Sequence, residues 1–185
     1  MKKVSSWLFM SLDGVVEAPN EWQFDVMDDD MIAAITSQMD AEDAMLMGRV
    51  TYQDWLPYWP TSTDEPYASH INNMPKYVVS TTLDKVEWGK WEKPKLIKGN
   101  LAKEIAKLKQ GSGKNIGVSG SPTLVRSLLQ ENLLDELTLM VHPVLVGHGK
   151  RLFNDGDLTR LKLVDSKVTG TGVVVATYQP AKSEK

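Results

Sequence analysis

Apolar runs of strand length and apolar repeats of helical spacing alternate along the first part of the chain. Residues 4–11 form an apolar run typical of a strand, and 31–39 carry apolar side chains at helical spacing behind three aspartates. Acidic residues favour the first turn of a helix because the helix dipole is positive there. The apolar run 44–47 predicts a second strand, and 49–55 predicts a helix that prolines then end. The pattern is therefore β-α-β-α.

The same alternation continues through the middle of the chain. The β-branched segment 76–80 and the segment 95–98 predict strands, and 101–108 predicts a helix with buried residues at i, i+4 and i+7. A strand over 116–119 is followed by a helix that begins at Ser121. Serine caps a helix, and the proline that follows it fits the first helical position. Strands that alternate with helices predict a mainly parallel sheet.

The last third of the chain has a different pattern, with strands and no helix between them. Residues 135–146, 160–169 and 172–179 all read as strands. The fold class predicted is therefore α/β, with a mainly parallel sheet, antiparallel strands at its C-terminal edge and helices on both faces. We expect one domain over 1–180 and a polar tail over 181–185.

Composition narrows the kind of protein. The 185 residues contain 21 basic and 24 acidic residues, a net charge of −3 that argues against general nucleic-acid binding. No cysteine is present, so disulfides, a thiolate nucleophile and zinc-thiolate sites are excluded. No apolar run approaches the ~20 residues of a membrane span, and the start lacks the apolar core of a signal peptide. We expect a cytoplasmic protein without membrane contact.

Three predicted strand ends carry residues suited to binding phosphate. Ligands of open α/β sheets bind beyond the carboxyl ends of the strands, where backbone N–H groups approach an anion. Each junction alone also has a plainer interpretation, as a turn glycine, a solvated arginine or a hydroxyl that caps its own turn. Their coincidence on one sheet edge favours phosphate binding. The candidates are Gly48, Arg49, Val50 and Thr51, then Ser80, Thr81 and Thr82, and finally Ser119, Gly120, Ser121, Pro122 and Thr123.

Other kinds of site have weaker support. His70, His142 and His148 stand on separate elements without the spacing of metal ligands, so no metal site is expected. The serines near the start lie outside any G-x-S-x-G elbow, which leaves a serine hydrolase unsupported. The aspartates at 28–30 could include a substrate anchor, but a first helical turn stabilised by the dipole is the favoured interpretation for at least two of them.

Five short segments are weak singly but specific as an ordered set. They are S-L-D-G at 11–14, L-M-G-R-V-T-Y at 46–52, V-V-S-T at 78–81, G-S-P-T-L at 120–124 and H-P-V-L-V-G-H-G-K-R-L-F at 142–153. In this order the chain resembles the dihydrofolate reductase-like superfamily over residues 3–179. Within that superfamily it is most similar to the reductase domain of bacterial riboflavin biosynthesis.

The resemblance implies a three-layer αβα fold with a mixed sheet of about eight strands and with NADPH as hydride donor. By this likeness the residues of the three junctions would bind the cofactor, with Arg49 near its 2′-phosphate. Gly14 would border the nicotinamide. The family's C-terminal strands often build a homodimer, which we therefore expect here.

The same resemblance implies reductive chemistry on a heterocycle, so we expect an oxidoreductase. Asp13 and Asp30 are the expected catalytic residues, with a water near Asp13 delivering the proton, and Trp22 and Asp28 would contact substrate. A hydride would pass to a pterin- or pyrimidine-like ring. The substrate is left open between the uracil intermediate of riboflavin biosynthesis, a dihydrofolate and a third heterocycle.

Three departures from the family pattern leave the substrate open, and two rival functions are also considered. The family's acidic residue after a Trp-containing loop could be any of the three aspartates that follow residues 22–27 here. The family's Gly-Gly pair is Ser119-Gly120 here, and the deaminase domain that often accompanies the riboflavin enzymes has no room in this chain, which predicts a free-standing member. One alternative is a nucleotide-binding module that has lost catalysis. The other is a homodimeric interaction module that acts through its strand edge.

Overall fold

Five α-helices, three short 3-10 helices and one sheet form the regular structure of the chain, a computed structural model that describes residues 1–154, 156 and 158–181. The strands are β1 (Val4–Ser11), β2 (Glu42–Gly48), β3 (Lys76–Val79), β4 (Lys95–Ile97), β5 (Asn115–Val118), β6 (Glu136–His142), β7 (Leu161–Val168) and β8 (Val174–Pro180). The helices are α1 (Asp29–Asp40), α2 (Arg49–Trp55), α3 (Tyr67–Asn73), α4 (Leu101–Lys109) and α5 (Pro122–Gln130). Of the predicted tail, 182–185 lies outside the described residues.

The sheet is mixed, as predicted. Its eight described strands have the order β4-β3-β2-β5-β1-β6-β8-β7. All neighbours from β4 to β6 pair in parallel, and β8 pairs antiparallel with both β6 and β7. The predicted fold class, α/β with antiparallel pairing at the C-terminal edge, is therefore confirmed. The insertion of the last strand between β6 and β7 was not part of the prediction.

Three helices begin at the polar residues that cap them. In each case the side chain accepts a hydrogen bond from a backbone N–H of the first turn, which would otherwise lack a partner. The capping residues are Asp28, Asn100 and Ser121, and their donors are Met31, Lys103 and Leu124. The side chains that fix these helix starts are therefore close in sequence to the turns they stabilise.

Helix α3 was missed by the sequence analysis because long-range contacts hold it. It does not directly follow a strand, as the equally short α2 does, and no side chain caps its start. The side chain of Asn72 donates to the carbonyl of Trp59 and accepts from the indole N–H of Trp88. The buried Lys76 ammonium donates to the carbonyls of Asn72 and Met74 at the end of the helix.

The sheet packs differently on its two faces, because successive residues of a strand point to opposite sides. One face is covered by α4 and α5 in a continuous apolar core that includes Leu46, Ile105 and Leu128. The other face carries two smaller clusters. The α1 cluster consists of Met31, Ile35, Met39, Met140 and Val173, and the α3 cluster of Met45, Met47, Tyr52, Ile71, Met74, Val78, Val86 and Trp88. A cavity lies on this second face.

Within residues 1–154, 156 and 158–181, no helix has both the length and the apolar character needed to cross a membrane.

Candidate active site

A cavity of about 1480 Å³ lies on the α1 and α3 side of the sheet. Trp7 and Phe9 of β1 form part of its lining, together with Met39 of the α1 cluster and Met45 of the α3 cluster. It reaches from the loops at the carboxyl edge of the sheet to Glu42, at the amino end of β2. Glu42 and Gly48 are six strand steps apart, so the cavity follows the sheet for about 20 Å.

Two loops meet at the carboxyl edge with no room for side chains between them. The N–H of Gly48 donates to the carbonyl of Gly120 over 2.8 Å. A Cβ on Gly48 would lie 2.8 Å from the hydroxyl oxygen of Ser121, and one on Gly120 would lie 2.9 Å from that of Thr51. Gly120 also has φ +112°, a conformation that favours glycine. These contacts bring the starts of α2 and α5 together.

Most of the residues that these two junctions contribute line the cavity. Both helix starts turn backbone N–H groups toward the carboxyl edge, and the hydroxyls beside them add further hydrogen-bonding groups. Such a donor set is suited to phosphate oxygens. The predicted cofactor residues in the cavity lining are Val50, Thr51, Ser119, Gly120, Ser121, Pro122 and Thr123.

The remaining predicted phosphate residues lie on the same edge but outside the cavity lining. Gly48 pairs in register with Val79, so Arg49 and the residues after β3 leave the sheet side by side. Arg49 is exposed and donates to the side-chain carbonyl of Gln53 over 2.8 Å. The Ser80 hydroxyl caps its own turn, since it accepts from the N–H groups of the residues two and three positions later. Thr81 and Thr82 are exposed.

Asp13 joins the end of β1 to the loop after β6. Its carboxylate accepts from the Ser11 hydroxyl over 2.6 Å, from the N–H of Val146 over 3.1 Å and from the N–H of Gly147 over 2.9 Å. These hydrogen bonds hold the pKa of Asp13 well below its usual range. Arg151 adds an ion pair and packs beside Gly14, whose φ is +85°. The Asp13 carboxylate thus holds the end of β1, the loop at 146–147 and Arg151 together. Asp13 is not among the described residues that line the cavity.

The predicted substrate residues Trp22 and Asp28 and the predicted catalytic residue Asp30 also have partners outside the cavity. Asp28 caps α1 and accepts from the N–H and hydroxyl of Thr171, in the β7–β8 turn. Asp30 pairs with Lys167 of β7 over 2.5 Å. Trp22 packs edge-on against His142, with ring centres 5.4 Å apart. In the described part of the chain, these contacts fit the first-turn interpretation of the two aspartates.

Sequence reasoning missed the two titratable side chains at the far end of the cavity. Glu42 is the first residue of β2 and His70 lies on α3, and both line the cavity. A single charged residue at the start of a strand is commonly solvent-facing, so nothing in the sequence marked Glu42 as buried. His70 belongs to the helix that the pattern of apolar positions did not predict.

Three basic residues at the mouth of the cavity were also missed. Arg126 donates to the carbonyls of Arg151 and Leu152, and Lys150 pairs with Glu17 over 2.9 Å. Together with Arg151 they line the side of the cavity beside α5. The Lys-Arg pair of the 142–153 segment was the available signal, but nothing local showed that it faces this site.

The residues present fit a nicotinamide dinucleotide. The loops at Gly48 and Gly120 offer backbone N–H groups and four hydroxyls in the cavity lining, and the basic side chains lie beside them. A flat aromatic or apolar wall follows at Trp7, Phe9 and Met45. Phosphates bind to backbone N–H groups, hydroxyls and basic side chains, whereas a stacked ring binds to an aromatic or apolar surface.

Fold and site together define the class: this is a dihydrofolate reductase-like protein with a cofactor-sized cavity on one face of its sheet. The chain belongs to the RibD C-terminal domain family, whose sequence model matches residues 2–175. The resemblance recognised in the five ordered segments is therefore confirmed.

The similar proteins agree with this assignment. YyaP of Bacillus subtilis (strain 168), an uncharacterized protein, is 32% identical over 177 residues, which cover 92% of this chain and 91% of YyaP. A Shewanella sp. PV-4 structure named for riboflavin biosynthesis has 25% identity and a TM-score of 0.78, covering 97% of this chain and 99% of that one. Dihydrofolate reductase from Enterococcus faecalis, solved with NADP(H), has 12% identity, a TM-score of 0.62 and 97% coverage of both chains, and shows the fold. Family and neighbours support a reductase-like function.

Proposed function

We propose that this chain is a cytoplasmic NADPH-dependent oxidoreductase that reduces a pterin- or pyrimidine-like ring. The observation that carries the proposal is the continuity of the cavity, which joins a backbone-and-hydroxyl cradle at Gly48 and Gly120 to an aromatic wall at Trp7. The family assignment and the NADP(H) in the Enterococcus enzyme support the same cofactor. The uracil intermediate of riboflavin biosynthesis and dihydrofolate-type rings are the proposed substrate classes.

In this proposal the protein aligns two reactants and excludes water. Bound NADPH supplies the hydride, so the chain has to hold the nucleotide and orient the ring. Val50, Thr51 and the segment 119–123 would bind the phosphates and the nicotinamide end. Arg49, Ser80, Thr81 and Thr82 would form the shelf for the 2′-phosphate and adenosine. The apolar side chains of Trp7 and Met45 would keep water from the reacting carbon.

The catalytic roles of Asp13 and Asp30 stay predictions. The four donors around Asp13 keep it ionised, so its part would be to hold Gly14 and the loop at 146–147 beside the nicotinamide. Asp30 is tied to Lys167 and would need to exchange that partner to act on substrate. Trp22, next to His142, would cover the substrate from the side of the loop.

Arg49→Ala tests the choice of cofactor. Loss of a charge-assisted pair with the 2′-phosphate is expected to weaken NADPH binding about ten- to a hundred-fold, while NADH binding stays the same. The measurement is a thermal-shift titration of wild type and variant with NADPH, NADP, NADH and FMN. Ligand at 100 times its Kd should add about 2.7 kcal/mol of stability.

The titration and an activity assay together distinguish the proposed functions. If NADPH binds but is not oxidised in the presence of pterins, pyrimidines or aldehydes, the chain is better described as a nucleotide-binding module. No shift of the wild type with any nucleotide would overturn the proposal. Lys107→Ala is the matched control, because Lys107 is an exposed cation on α4 that is paired with Glu104 outside the cavity lining.

We also propose that two copies of the chain pair through β7. This strand lies at the edge of the sheet and exposes Leu163, Val164 and Val168. An edge strand with exposed apolar side chains is a template for a second chain. Val168→Asp is expected to reduce the mass measured by light scattering from twice 20.7 kDa to one chain. Ile32→Asp, at an exposed apolar position on α1, should leave the dimer intact, and a monomeric wild type would contradict the proposal.

A further inference from the structure

Glu42 is a buried carboxyl group with one oxygen that lacks a hydrogen-bond partner among the described residues. Its side chain is 3% exposed, and that oxygen is Oε1. Burial raises the pKa of Glu42, and the weaker influences of His70 and Trp7 do not offset it. A buried carboxyl oxygen without a partner is costly for the fold, so its presence calls for a reason beyond packing.

The structure makes room for this carboxyl group at Gly117. A Cβ at position 117 would lie 2.1 Å, 2.2 Å and 2.4 Å from the three terminal atoms of Glu42, too close for any side chain. Gly117 stands in the middle of β5, in register with Met45 of β2. Glycine weakens a strand, so this position gives up stability and leaves space for the carboxyl group.

His70 presents a second unpaired group beside the first. Its Nε2 is buried without a partner in the described structure and lies 3.9 Å from Oε2 of Glu42. That separation is too long for a hydrogen bond between them. Both side chains line the cavity, but Oε1 of Glu42 and Nε2 of His70 are themselves covered, so a ligand would reach both atoms only after the two side chains separate.

We propose that Glu42 and His70 bind the lactam edge of a heterocyclic ring, the unit –NH–C(=O)–. The ring N–H donates to the Glu42 carboxyl group, and Nε2–H of His70 donates to the neighbouring ring carbonyl. An adjacent donor and acceptor match the unpaired acceptor and the unpaired imidazole nitrogen, and would remove the cost of leaving both buried. The inference rests on the proposed function and narrows its substrates to rings with a lactam edge.

The surroundings of the pair suit a fused ring. Trp7, Met39 and Met45 give that part of the cavity an aromatic and apolar lining. Ser119 follows Gly117 by two residues, about 7 Å along the sheet, and also lines the cavity. That distance is close to the long dimension of a bicyclic heterocycle. A ring held by Glu42 and His70 would therefore extend toward the cradle at Gly120.

The test compares two ligands in the absence of nucleotide. Lumazine is a bicyclic ring with two lactam N–H groups, and N,N′-dimethyllumazine has the same ring without them. The wild-type protein is expected to bind lumazine at least about tenfold more tightly, as one charge-assisted hydrogen bond warrants. Binding is measured by calorimetry and by quenching of the ligand's fluorescence. Equal affinity of the two ligands would overturn the proposal without any variant.

Two variants locate the preference. Glu42→Met removes the acceptor at similar volume and should bring the affinity ratio close to one. Gly117→Ala should have the same effect, because a Cβ there displaces the carboxyl group. Glu136→Met is the matched control, because Glu136 pairs with Lys3 outside the cavity lining and its loss should leave the ratio unchanged. A ratio retained in both test variants, with folding confirmed by circular dichroism, would assign the preference to other residues.

This design separates the inference from the proposed function. If the lumazine preference depends on Glu42 but no nucleotide shifts the melting temperature, the lactam site stands and the reductase proposal fails. If NADPH binds and lumazine is not preferred over its dimethyl derivative, the reductase proposal stands and the lactam site fails.

Discussion

Replacement of Gly120 by alanine is expected to lower the free energy of unfolding by about 1–3 kcal/mol, the usual cost of an unfavourable backbone conformation. Gly120 has φ +112°, which a residue with a Cβ rarely adopts. The new Cβ would also lie 2.9 Å from the Thr51 hydroxyl. Relief of that contact would separate the loop at 119–123 from the start of α2, so we expect a loss of nucleotide binding of a hundred-fold or more.

Chemical denaturation and a nucleotide titration measure the two effects independently. Gly99→Ala is the matched control, because a Cβ at Gly99 meets nothing within 4 Å and the residue has no positive φ. It should change neither the unfolding midpoint nor the affinity. Normal nucleotide affinity in Gly120→Ala would contradict the cradle described here, even if stability falls as expected.

Local chemistry explains why so much of the sheet and so many helix starts were predictable. β1 and α2 begin and end where the apolar pattern places them, and Asp28, Asn100 and Ser121 cap the helices that follow them. Capping and strand alternation depend on neighbours in sequence, so a single chain reveals them. The place of β8 between β6 and β7 depends on pairing between distant segments, which no local pattern contains.

The residues of the candidate site also fall into two groups, those that local sequence predicts and those that depend on long-range packing. Thr51 and Ser121 follow strand ends, and a parallel sheet brings such ends together, so they were predictable from order alone. Glu42 and His70 come from an amino-terminal strand end and from a helix held by Asn72. Their proximity depends on how α3 packs on the sheet. The Glu42 carboxyl group fits only because residue 117 is a glycine, and the sequence alone does not show what a glycine in a strand makes room for.

Glu42→Met is expected to raise the free energy of unfolding by about 1–3 kcal/mol at neutral pH, because it removes a buried carboxyl group of which one oxygen has no hydrogen-bond partner. The methionine would fill similar space beside Met39 and Met45 in the cavity lining. The variant proposed to lose lactam recognition should therefore be the more stable protein. A loss of binding together with a gain in stability is expected where a side chain is retained for binding although it destabilises the fold.

The pH dependence of this gain identifies its cause. Burial raises the pKa of Glu42 above 4.5, so between these two values the folded wild type binds more protons than the unfolded chain. The wild type therefore loses stability as pH rises from 4.5 through the folded pKa, and the methionine variant does not. The difference between them should be smallest near pH 4.5, widen with pH and then level off.

Urea unfolding at several pH values from 4.5 to 8 measures the difference. Glu136→Met is expected to lower the free energy of unfolding, because Glu136 is paired with Lys3 and Gln179 and the methionine would lose these contacts. A gain in Glu42→Met that is the same at every pH would mean that better packing, and not the removed charge, stabilises the variant. A gain that widens with pH would show that the fold bears the cost of an ionised group at the closed end of its cavity, the cost that a ligand with a lactam edge would relieve.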